Sequence, residues 1–424
     1  MSALALAFDL GTTTLAASLV DIGGRTRIGL AGCMNPQRSF GADVVSRLEA
    51  AVNSEEAHRQ MCGLIRAELL NLASQLLEQN HCGWDRVARA ALAGNPAMQH
   101  ILLGLPVRSL AFPPFRPLHT GGSRLSTTDL GWPAAIPLYL FPMPGGFVGG
   151  DTVAFLHGQT DAARALPAGE TESALYLDMG TNGEMALASG DIIWATSAAA
   201  GPAFEGGNLS CGMPALDGAI CHVAFESGRV KTRTIGTTDP RGLCGSAALQ
   251  AMALLIEHGA VDPRGRLKNR HEISSPIGDR IAEYSGEPAF ILHRDATRTL
   301  ALTQGDIRQI QLAKAAIRAG LEVLADRARI RFEAMRDVVL TGSFGAVLQP
   351  EWLKTIGIFD ETVIHNIRFV SEGALTGVEQ ALYSPDDYSP VETLGRRFRV
   401  VPLSGTPRFE EAFIRSIDFP QSDT

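Results

Sequence analysis

One pattern occurs twice in this chain and limits its possible folds more than any other feature. A short apolar run ends in Asp-x-Gly-Thr and leads into a second apolar run, first across residues 4–20 and again across residues 175–187. Apolar runs of this length bounded by turn residues predict buried strands joined as a β-hairpin. The two copies lie about 170 residues apart, which indicates a duplicated lobe. We therefore expect an α/β chain built from two related halves.

The first hairpin turn has the composition of a phosphate-binding loop. Gly11 can adopt positive φ and lets a ligand approach the backbone, and successive N–H groups in such a turn form an anion-binding nest. The hydroxyls of Thr12, Thr13 and Thr14 add hydrogen-bond donors. Asp9 ends the first strand, where a carboxylate can hold hydrated Mg²⁺. The alternative is an ordinary polar hairpin turn.

Two further Gly-containing turns follow predicted strands, at 178–184 and 341–345. Ligands of α/β sheets bind outside the carboxyl ends of strands, so the three turns together suit a nucleotide. We expect the triphosphate between the two hairpins and the base against the third turn. Glu184 either reaches the metal or a water or faces solvent, and Ser343 either touches the base or ribose or is a plain turn serine. The candidate nucleotide-binding residues are Gly11, Thr12, Thr13, Thr14, Gly180, Thr181, Asn182, Gly183, Glu184, Gly342, Ser343, Phe344 and Gly345.

A third carboxylate, Asp151, follows two glycines at the predicted start of a helix. A carboxylate there could orient or deprotonate a water for attack on a γ-phosphate. It could equally cap the helix, and one Asp can do both. We predict Asp9, Asp151 and Asp178 as catalytic residues, with Asp9 and Asp178 holding the metal.

The charge balance excludes several classes of partner. The formal net charge is −8 and the pI is near 5.7, which argues against nucleic acid and anionic membranes. No apolar run reaches 18 residues, so we expect no membrane span. Only four Lys occur, none near a candidate loop, and no G-x-x-x-x-G-K-[ST] motif is present. Phosphate charge must therefore be neutralised by Mg²⁺ and backbone N–H groups.

The six cysteines include no C-x-x-C pair, and their spacing matches neither a zinc site nor a common iron–sulfur pattern. Such cysteines predict reduced, mostly buried thiols in a cytoplasmic protein. Cys211 and Cys244 lie in Gly-rich turns, where small-residue packing competes with a redox role.

Composition and periodicity predict the organisation of the chain. We expect an N-terminal lobe at 1–158, a linker at 159–172, a C-terminal lobe at 173–370, and a closing helix, strand and helix at 371–424. Residues 104–144 hold eight of the 23 Pro and little periodicity, so we expect an irregular insert there. Thr303 and Asp306 form a capping box for a long helix to about 330.

The paired hairpins resemble the ATPase superfamily shared by actin, sugar kinases and heat-shock ATPases. In finer detail the chain resembles the ATPase region of the reductive activators of corrinoid proteins, from residue 4 to residue 420. The segments that carry this resemblance are 9–14, 35–37 with 40–43, 93–95 with 102–104, 177–184, 200–206, 210–213, 242–246, 303–320 and 342–345.

The resemblance implies a two-lobed actin-like ATPase fold, with duplicated ribonuclease H-like lobes and a nucleotide cleft between them. It implies an enzyme that uses ATP and Mg²⁺ to drive reduction of a corrinoid protein from Co(II) to Co(I), rescuing a methyltransferase system. The residues that carry over as nucleotide and Mg²⁺ contacts are Asp9, Gly11, Thr12, Thr13, Asp178, Gly180, Thr181, Gly342 and Gly345. Asp151 corresponds to the catalytic carboxylate of sugar kinases.

One departure from the family concerns electron supply. Family members carry an iron–sulfur domain, whereas here the resemblance starts at residue 4 and no cluster-binding Cys pattern is present. We expect an external low-potential donor, a ferredoxin or a flavoprotein, or else a protein that only remodels the surroundings of the corrinoid. A homodimer is an expectation from the resemblance alone. The alternatives are a small-molecule kinase with Asp151 as base and a non-catalytic nucleotide-gated scaffold.

Overall fold

The computed structural model describes residues 3–159, 173–236, 239–342, 348–384 and 387–421. Its strands are β1 (Leu4–Leu10), β2 (Thr14–Asp21), β3 (Thr26–Met34), β4 (Val87–Gly94), β5 (Ser123–Ser126), β6 (Pro137–Leu140), β7 (Ser173–Met179), β8 (Gly183–Ser189), β9 (Ile192–Ala198), β10 (Ala219–Glu226), β11 (Arg229–Thr234), β12 (Gly242–Leu243), β13 (Ile281–Tyr284), β14 (Glu287–Arg294), β15 (Thr299–Thr303), β16 (Met335–Thr341), β17 (Ile367–Phe369) and β18 (Phe398–Val400).

Its α-helices are α1 (Val44–Asn53), α2 (Glu55–Gln79), α3 (Pro96–Leu103), α4 (Arg108–Ala111), α5 (Gly150–Gln159), α6 (Gly245–Glu257), α7 (Gln304–Ala328), α8 (Pro350–Thr355), α9 (Glu361–Ile364), α10 (Gly373–Leu382), α11 (Ser389–Arg397) and α12 (Pro407–Arg415). Across the described ranges, no helix is both long enough and apolar enough to cross a bilayer.

The chain divides into two compact units, each assembled from separate segments. Unit 1 comprises residues 1–168, 190–195 and 372–400, and unit 2 comprises residues 169–189, 196–371 and 401–424. The domain boundaries expected from the sequence stay a prediction, and all of the expected linker at 159–172 except its first residue lies outside the described residues.

Unit 1 is organised around a six-stranded sheet with the order β3-β2-β1-β4-β6-β5. β1, β2 and β3 run antiparallel, as predicted for the first hairpin, whereas β1, β4 and β6 run parallel. β1 is buried on both of its faces, which explains its nearly continuous apolar sequence. The carboxyl ends of β1, β4 and β6 therefore lie along one edge of the sheet.

Helices cover both faces of this sheet. α2 begins at the Ser54 cap, packs against β2 and β3, and buries Met61, Ile65, Leu69 and Leu72 in the core. α5 and α10 lie against each other, with α10 packed on β1 and β4. The two helices come close at Gly377, where a Cβ would lie 1.7 Å from the carbonyl oxygen of Ala154. Only glycine allows that approach, so the helix α5 is held against α10.

Unit 2 contains the second copy of the hairpin. β7 pairs antiparallel with β8 and parallel with β16, and β17 follows, giving the order β17-β16-β7-β8. α7 starts at the predicted capping box of Thr303 and Asp306 and packs on β8. Two smaller sheets, β11-β10-β12 and β13-β14-β15, complete the unit. The α/β fold with repeated hairpins expected from the sequence is confirmed.

The segment 104–144 has more regular structure than its proline content indicates. β6 pairs parallel with β4, and β5 pairs antiparallel with β6, so the segment extends the first sheet. Pro137 is the first residue of β6, a strand position that tolerates proline. Most of the other prolines lie in the connections. They interrupt the apolar pattern of the sequence, so the short strands cannot be predicted from its periodicity.

Candidate functional site

The first hairpin has the geometry of an anion-binding turn. Gly11 lies so close to the following backbone that a Cβ on it would be 2.5 Å from the carbonyl oxygen of Thr14. In the described part of the chain, the backbone N–H groups of Gly11 and Thr12 have no hydrogen-bond acceptor. Two adjacent N–H groups without a protein acceptor form a nest suited to an oxyanion.

Two asparagine side chains hold this turn by hydrogen bonds, and each also caps a helix. Asn35 accepts a hydrogen bond from the backbone of Gln37 and donates its Nδ2 to the carbonyl oxygen of Gly11 at 2.9 Å. Asn95 accepts from the backbone of Met98 and donates its Nδ2 to the hydroxyl of Thr12 at 2.9 Å. The turn is thus fixed by two side chains whose own orientation is set by helix caps.

The predicted carboxylates of unit 1 lie at the same edge of the first sheet. Asp9 pairs in register with Ala93, one residue before the end of β4. Asp151 is the second residue of α5, the helix that follows β6. A Cβ on Gly149 would lie 2.6 Å from the Cα of Asn95, so the start of α5 abuts the end of β4.

Asp151 has the electrostatics expected of a buried acid. Its Oδ1 accepts a hydrogen bond from the backbone N–H of the next residue, Thr152, at 2.7 Å, within the first turn of α5. The residue is only partly exposed, and desolvation of the carboxyl raises its pKa to about 6, although the hydrogen bonds from the helix oppose this rise. A carboxylate with a pKa near 6 is suited to accept a proton near neutral pH.

The second hairpin lies at the end of β7 in unit 2. Asp178 stands directly opposite Glu184 in the β7–β8 register and beside Thr341 at the end of β16. The side chain of Glu184 accepts a hydrogen bond from the Ser197 hydroxyl at 3.3 Å. Glu184 is therefore not simply a solvent-facing hairpin residue.

Glu205 belongs to this second site, although the sequence did not single it out. Its Oε2 accepts a hydrogen bond from the Thr181 hydroxyl at 2.5 Å, and the carboxylate also accepts from the Thr181 backbone. Burial raises the pKa of the Glu205 carboxyl, and the bonds from Thr181 oppose the rise. The signal available in the sequence was a single acid among glycines, at Gly201–Gly207.

The remaining candidates divide into described and undescribed residues. Gly342 follows β16 with φ 142°, a conformation that favours glycine. Thr14 is exposed at the start of β2, whereas Gly183 is buried against Ile317 of α7. Asn182 accepts a hydrogen bond from the Gly180 N–H at 3.2 Å. Ser343, Phe344 and Gly345 lie outside the described residues. The assignment of all these residues to a nucleotide site stays a prediction.

The carboxylates of the described residues suit Mg²⁺ only together with other ligands, such as waters and phosphate oxygens. Within the described ranges, no group of three or more His, Cys, Asp or Glu side chains is placed to hold a metal ion. Mg²⁺ is usually bound by one or two carboxylates together with waters and phosphate oxygens. Asp9 in unit 1 and Asp178 in unit 2 are each a single carboxylate at the end of a strand, and their assignment as Mg²⁺ ligands stays a prediction.

Two family descriptions match this chain and together span nearly all of it. Residues 4–160 match the middle region of RACo, and residues 172–424 match the C-terminal ASKHA domain of RACo. The second match alone includes more than half of the chain. ASKHA denotes the actin-like ATPase and sugar kinase fold, which agrees with the observed sheets.

Individual proteins give the same result. The chain is 29% identical over 98% of its length to the corrinoid activation enzyme RamQ of Eubacterium limosum, spanning 70% of that protein. It is 25% identical over 83% of its length to a reductase of the Co(II) methylated amine-specific corrinoid protein of Methanosarcina barkeri, spanning 65% of it. A solved structure of a reductive activator for a corrinoid, iron–sulfur protein superposes with a TM-score of 0.86 at 28% identity, over the whole chain and 67% of that structure. The chain thus spans about two thirds of the length of these relatives.

Proposed function

The chain belongs to the RACo family, and from this premise we propose that it is an ATPase that drives reductive activation of a corrinoid protein. The reaction is the one-electron reduction of Co(II) to Co(I) in the partner, coupled to hydrolysis of ATP to ADP and phosphate. The relatives named as corrinoid activators and reductases support the choice of partner. The methyltransferase system that the partner serves follows from the same resemblance.

The observation that carries the ATP part of the proposal is the donor-lined turn at Gly11 and Thr12. Its two N–H groups have no acceptor among the described residues, and the turn is fixed by Asn35 and Asn95. A rigid turn with unpaired donors binds a phosphate without rearrangement, which is how preorganised anion sites work. Mg²⁺ bound with the nucleotide supplies charge neutralisation for the phosphoryl oxygens.

Asp151 is the residue we assign to proton transfer. Its carboxylate accepts the proton of the attacking water, because its raised pKa keeps it basic enough near neutral pH. Asp9 and Asp178 hold the cation, each at the end of the first strand of its hairpin. The backbone N–H groups of the first turn orient the phosphate chain.

The redox part of the proposal is a shift of populations rather than electron transfer within this chain. The six cysteines are not spaced as ligands of a cluster, so we assign the electron to a separate low-potential donor, a ferredoxin or flavoprotein. A one-electron potential moves by about 59 mV for each tenfold difference in affinity for the two oxidation states. Preferential binding of the reduced-like cobalt state raises its potential, and ATP hydrolysis then releases the complex.

The test is a visible-spectrum assay of the cobalt centre. Purified protein, ATP, a low-potential reductant and a Co(II) corrinoid protein are mixed, and the absorbance of Co(I) is followed. We expect Co(I) to accumulate with the wild-type chain and ATP, and not with Asp9→Ala or without ATP. The proposal is overturned if no Co(I) forms, or if Asp9→Ala forms as much as the wild type.

The same preparation separates the two alternatives. ATP turnover stimulated by the corrinoid protein, and not by sugars or small acids, supports the activator. A phosphorylated small molecule among the products would instead indicate a kinase with Asp151 as its base. Nucleotide binding without turnover, with or without the partner, would indicate a nucleotide-gated scaffold.

A further inference from the structure

Arg47 of α1 is a buried cation without a counter-ion. It is 0% exposed, its Nε donates to the carbonyl oxygen of Gly41 at 3.0 Å, and its Nη1 lies 3.5 Å from the sulfur of Met98. Its Nη2 has no hydrogen-bond partner, and the guanidinium forms no ion pair in the described part of the chain. Burial of an unpaired charge is unfavourable, so packing alone does not account for an arginine at this position.

The carboxylate that acts on Arg47 is Asp43, which is exposed and already bonded elsewhere. Its Oδ1 caps α1 by accepting from the Ser46 backbone at 2.8 Å and from the Ser46 hydroxyl at 2.7 Å. Burial lowers the pKa of Arg47 to about 10, and the charge of Asp43 opposes this fall. Arg47 is therefore charged at neutral pH, and solvent screens much of its attraction to Asp43.

Met98 links Arg47 to the first hairpin turn. The Met98 sulfur, which contacts the Arg47 Nη1, lies 3.7 Å from the Nδ2 of Asn35. The same Nδ2 donates to the carbonyl oxygen of Gly11 at 2.9 Å. These three contacts place the guanidinium within about 10 Å of the Gly11 backbone. All four residues belong to unit 1, so the charge lies behind the turn inside one compact body.

A fixed charge at this range acts on an anion at the turn without touching it. With an effective dielectric constant near 20, the attraction between unit charges about 10 Å apart changes a Kd by about tenfold, and by less at longer range or with salt. The sequence places no lysine near the candidate loops. Arg47 is therefore a source of positive charge at the first turn that adds to Mg²⁺ and the backbone N–H groups.

We propose that Arg47 supplies a fixed positive charge to the turn at Gly11 and Thr12, and that it attracts a phosphate there through the protein rather than by contact. This inference rests on the proposed function, because the anion it concerns is the phosphate chain of ATP. Arg47 is a positioning residue in this assignment, since it touches no ligand atom. Its unpaired charge is unfavourable in the nucleotide-free protein and becomes favourable when phosphate binds.

The experiment compares ligands of different charge in four proteins. Isothermal titration calorimetry at pH 7 in excess Mg²⁺ gives the Kd for ATP and for ADP, for the wild type, Arg47→Met, Arg47→Lys and Arg66→Met. Arg66 is the matched control, because its Nε also donates to a backbone carbonyl, that of Leu102 at 2.8 Å, but the residue is partly exposed. Urea unfolding without nucleotide measures the stability of the same proteins.

Arg47→Met should weaken binding in proportion to the net charge of the ligand, by about tenfold for ATP and about threefold for ADP. Its free energy of unfolding should be unchanged or higher, because an unpaired buried charge is removed. Arg47→Lys keeps the charge, since a lysine whose pKa falls as far as that of Arg47 is still protonated at pH 7, so ATP should bind within about threefold of the wild type. Arg66→Met should change neither Kd.

Three results overturn the inference. Equal weakening of ATP and ADP binding by Arg47→Met, or a clear fall in its free energy of unfolding, would indicate a structural role. Failure of Arg47→Lys to restore ATP affinity would show that the shape of the side chain matters and its charge does not. Unchanged ATP affinity in Arg47→Met, with normal binding by the wild type, would remove Arg47 alone. If the wild type binds no ATP, the proposed function fails and the inference fails with it.

Discussion

The backbone of Gly149 comes so close to Asn95 that a Cβ on Gly149 would lie 2.6 Å from the Asn95 Cα. This contact places the start of α5 against the end of β4, and it therefore fixes the position of Asp151 relative to that end of the sheet. We expect Gly149→Ala to lower the free energy of unfolding by about 1–3 kcal/mol, because the added methyl has no space. ATP turnover should fall as well, since Asp151 is displaced. Urea unfolding and a phosphate-release assay measure both effects.

Gly63 provides the matched control for this substitution. It lies inside α2, and a Cβ there would meet nothing within 4 Å. Gly63→Ala should leave turnover unchanged and raise the free energy of unfolding by up to about 1 kcal/mol, the helix preference of Ala over Gly. Equal effects of the two substitutions on the free energy of unfolding and on turnover would show that the close contact between Gly149 and Asn95 contributes to neither.

The pH dependence of ATP turnover tests the role of Asp151. A base must be unprotonated, and burial raises the pKa of Asp151 to about 6. Turnover should therefore be constant above that pH and fall as the pH drops through about 6. Asp151→Asn should reduce turnover by about 10²–10⁴-fold at pH 7.5 while ATP still binds. A flat profile from pH 5 to pH 8, or full activity of Asp151→Asn, would remove the residue from proton transfer.

The lowered pKa of Lys314 predicts that the stability of the protein depends on pH, independently of the ATP site. This buried side chain on α7 donates to the carbonyl oxygen of Asp418, and burial lowers its pKa to about 8, with Asp418 opposing and Arg318 adding to that shift. The unfolded chain, with a Lys pKa near 10.4, then binds more protons between about pH 8 and pH 10.4, so stability rises with pH there. The gain is at most about 3 kcal/mol.

The measurement is urea unfolding at pH 7.5 and pH 9.5 for the wild type and Lys314→Met. Methionine fills a similar volume and does not titrate, so this component of the pH slope should be lost. The same slope in both proteins would mean that Lys314 does not carry the effect. The charges that face it, Arg318 and the carboxylate of Asp418, stay in place in the variant.

Asp306 should be a costly polar residue to remove from unit 2, because it is buried and accepts several hydrogen bonds. Its carboxylate accepts from the Ser210 backbone at 2.7 Å, from the Ser210 hydroxyl at 3.0 Å and from the Thr303 backbone at 2.8 Å. Asp306 and Thr303 are both buried, so Asp306→Ala leaves the Thr303 N–H without a partner away from water, and it also removes the acceptor of the exposed Ser210. It should cost about 3 kcal/mol of unfolding free energy. Chemical denaturation measures this loss.

Asp129→Ala is the comparison for that variant. Asp129 also completes a capping box, but it is an exposed residue of a 3₁₀ helix, and its carboxylate accepts from the backbone of Ser126 at 2.9 Å. Water can replace the lost bond, so the cost should be about 1 kcal/mol or less. A loss as large as that of Asp306→Ala would contradict the argument from burial.

The parts of the fold that rest on local patterns could be predicted from the sequence. The two hairpins, the long helix after Thr303 and the α/β class all follow from apolar period and turn residues within one segment. The strands β13, β14 and β15 were missed, and of these β13 and β15 have only four and five residues. β5 and β6 were missed because the prolines around them are typical of irregular structure.

The candidate site shows the same division. Asp9 and Asp178 stand out because a strand, an acid and a Gly-Thr turn are contiguous in sequence. Glu205 lies 24 residues from Thr181, and only the fold brings its carboxylate to that turn. Asn35 and Asn95 had a signal that was not used: each precedes a proline directly after a strand, which is typical of a helix cap.

The double role of Asn95 has a consequence for motion. Its Oδ1 closes the first turn of α3 while its Nδ2 holds the Thr12 hydroxyl. When that helical turn frays, Asn95 also stops fixing the orientation of the Thr12 hydroxyl. Opening of the helix turn and loss of the bond to Thr12 therefore share one opening equilibrium. By thermodynamic linkage, a ligand that bonds Thr12 must slow amide hydrogen exchange at Met98, a residue it never touches.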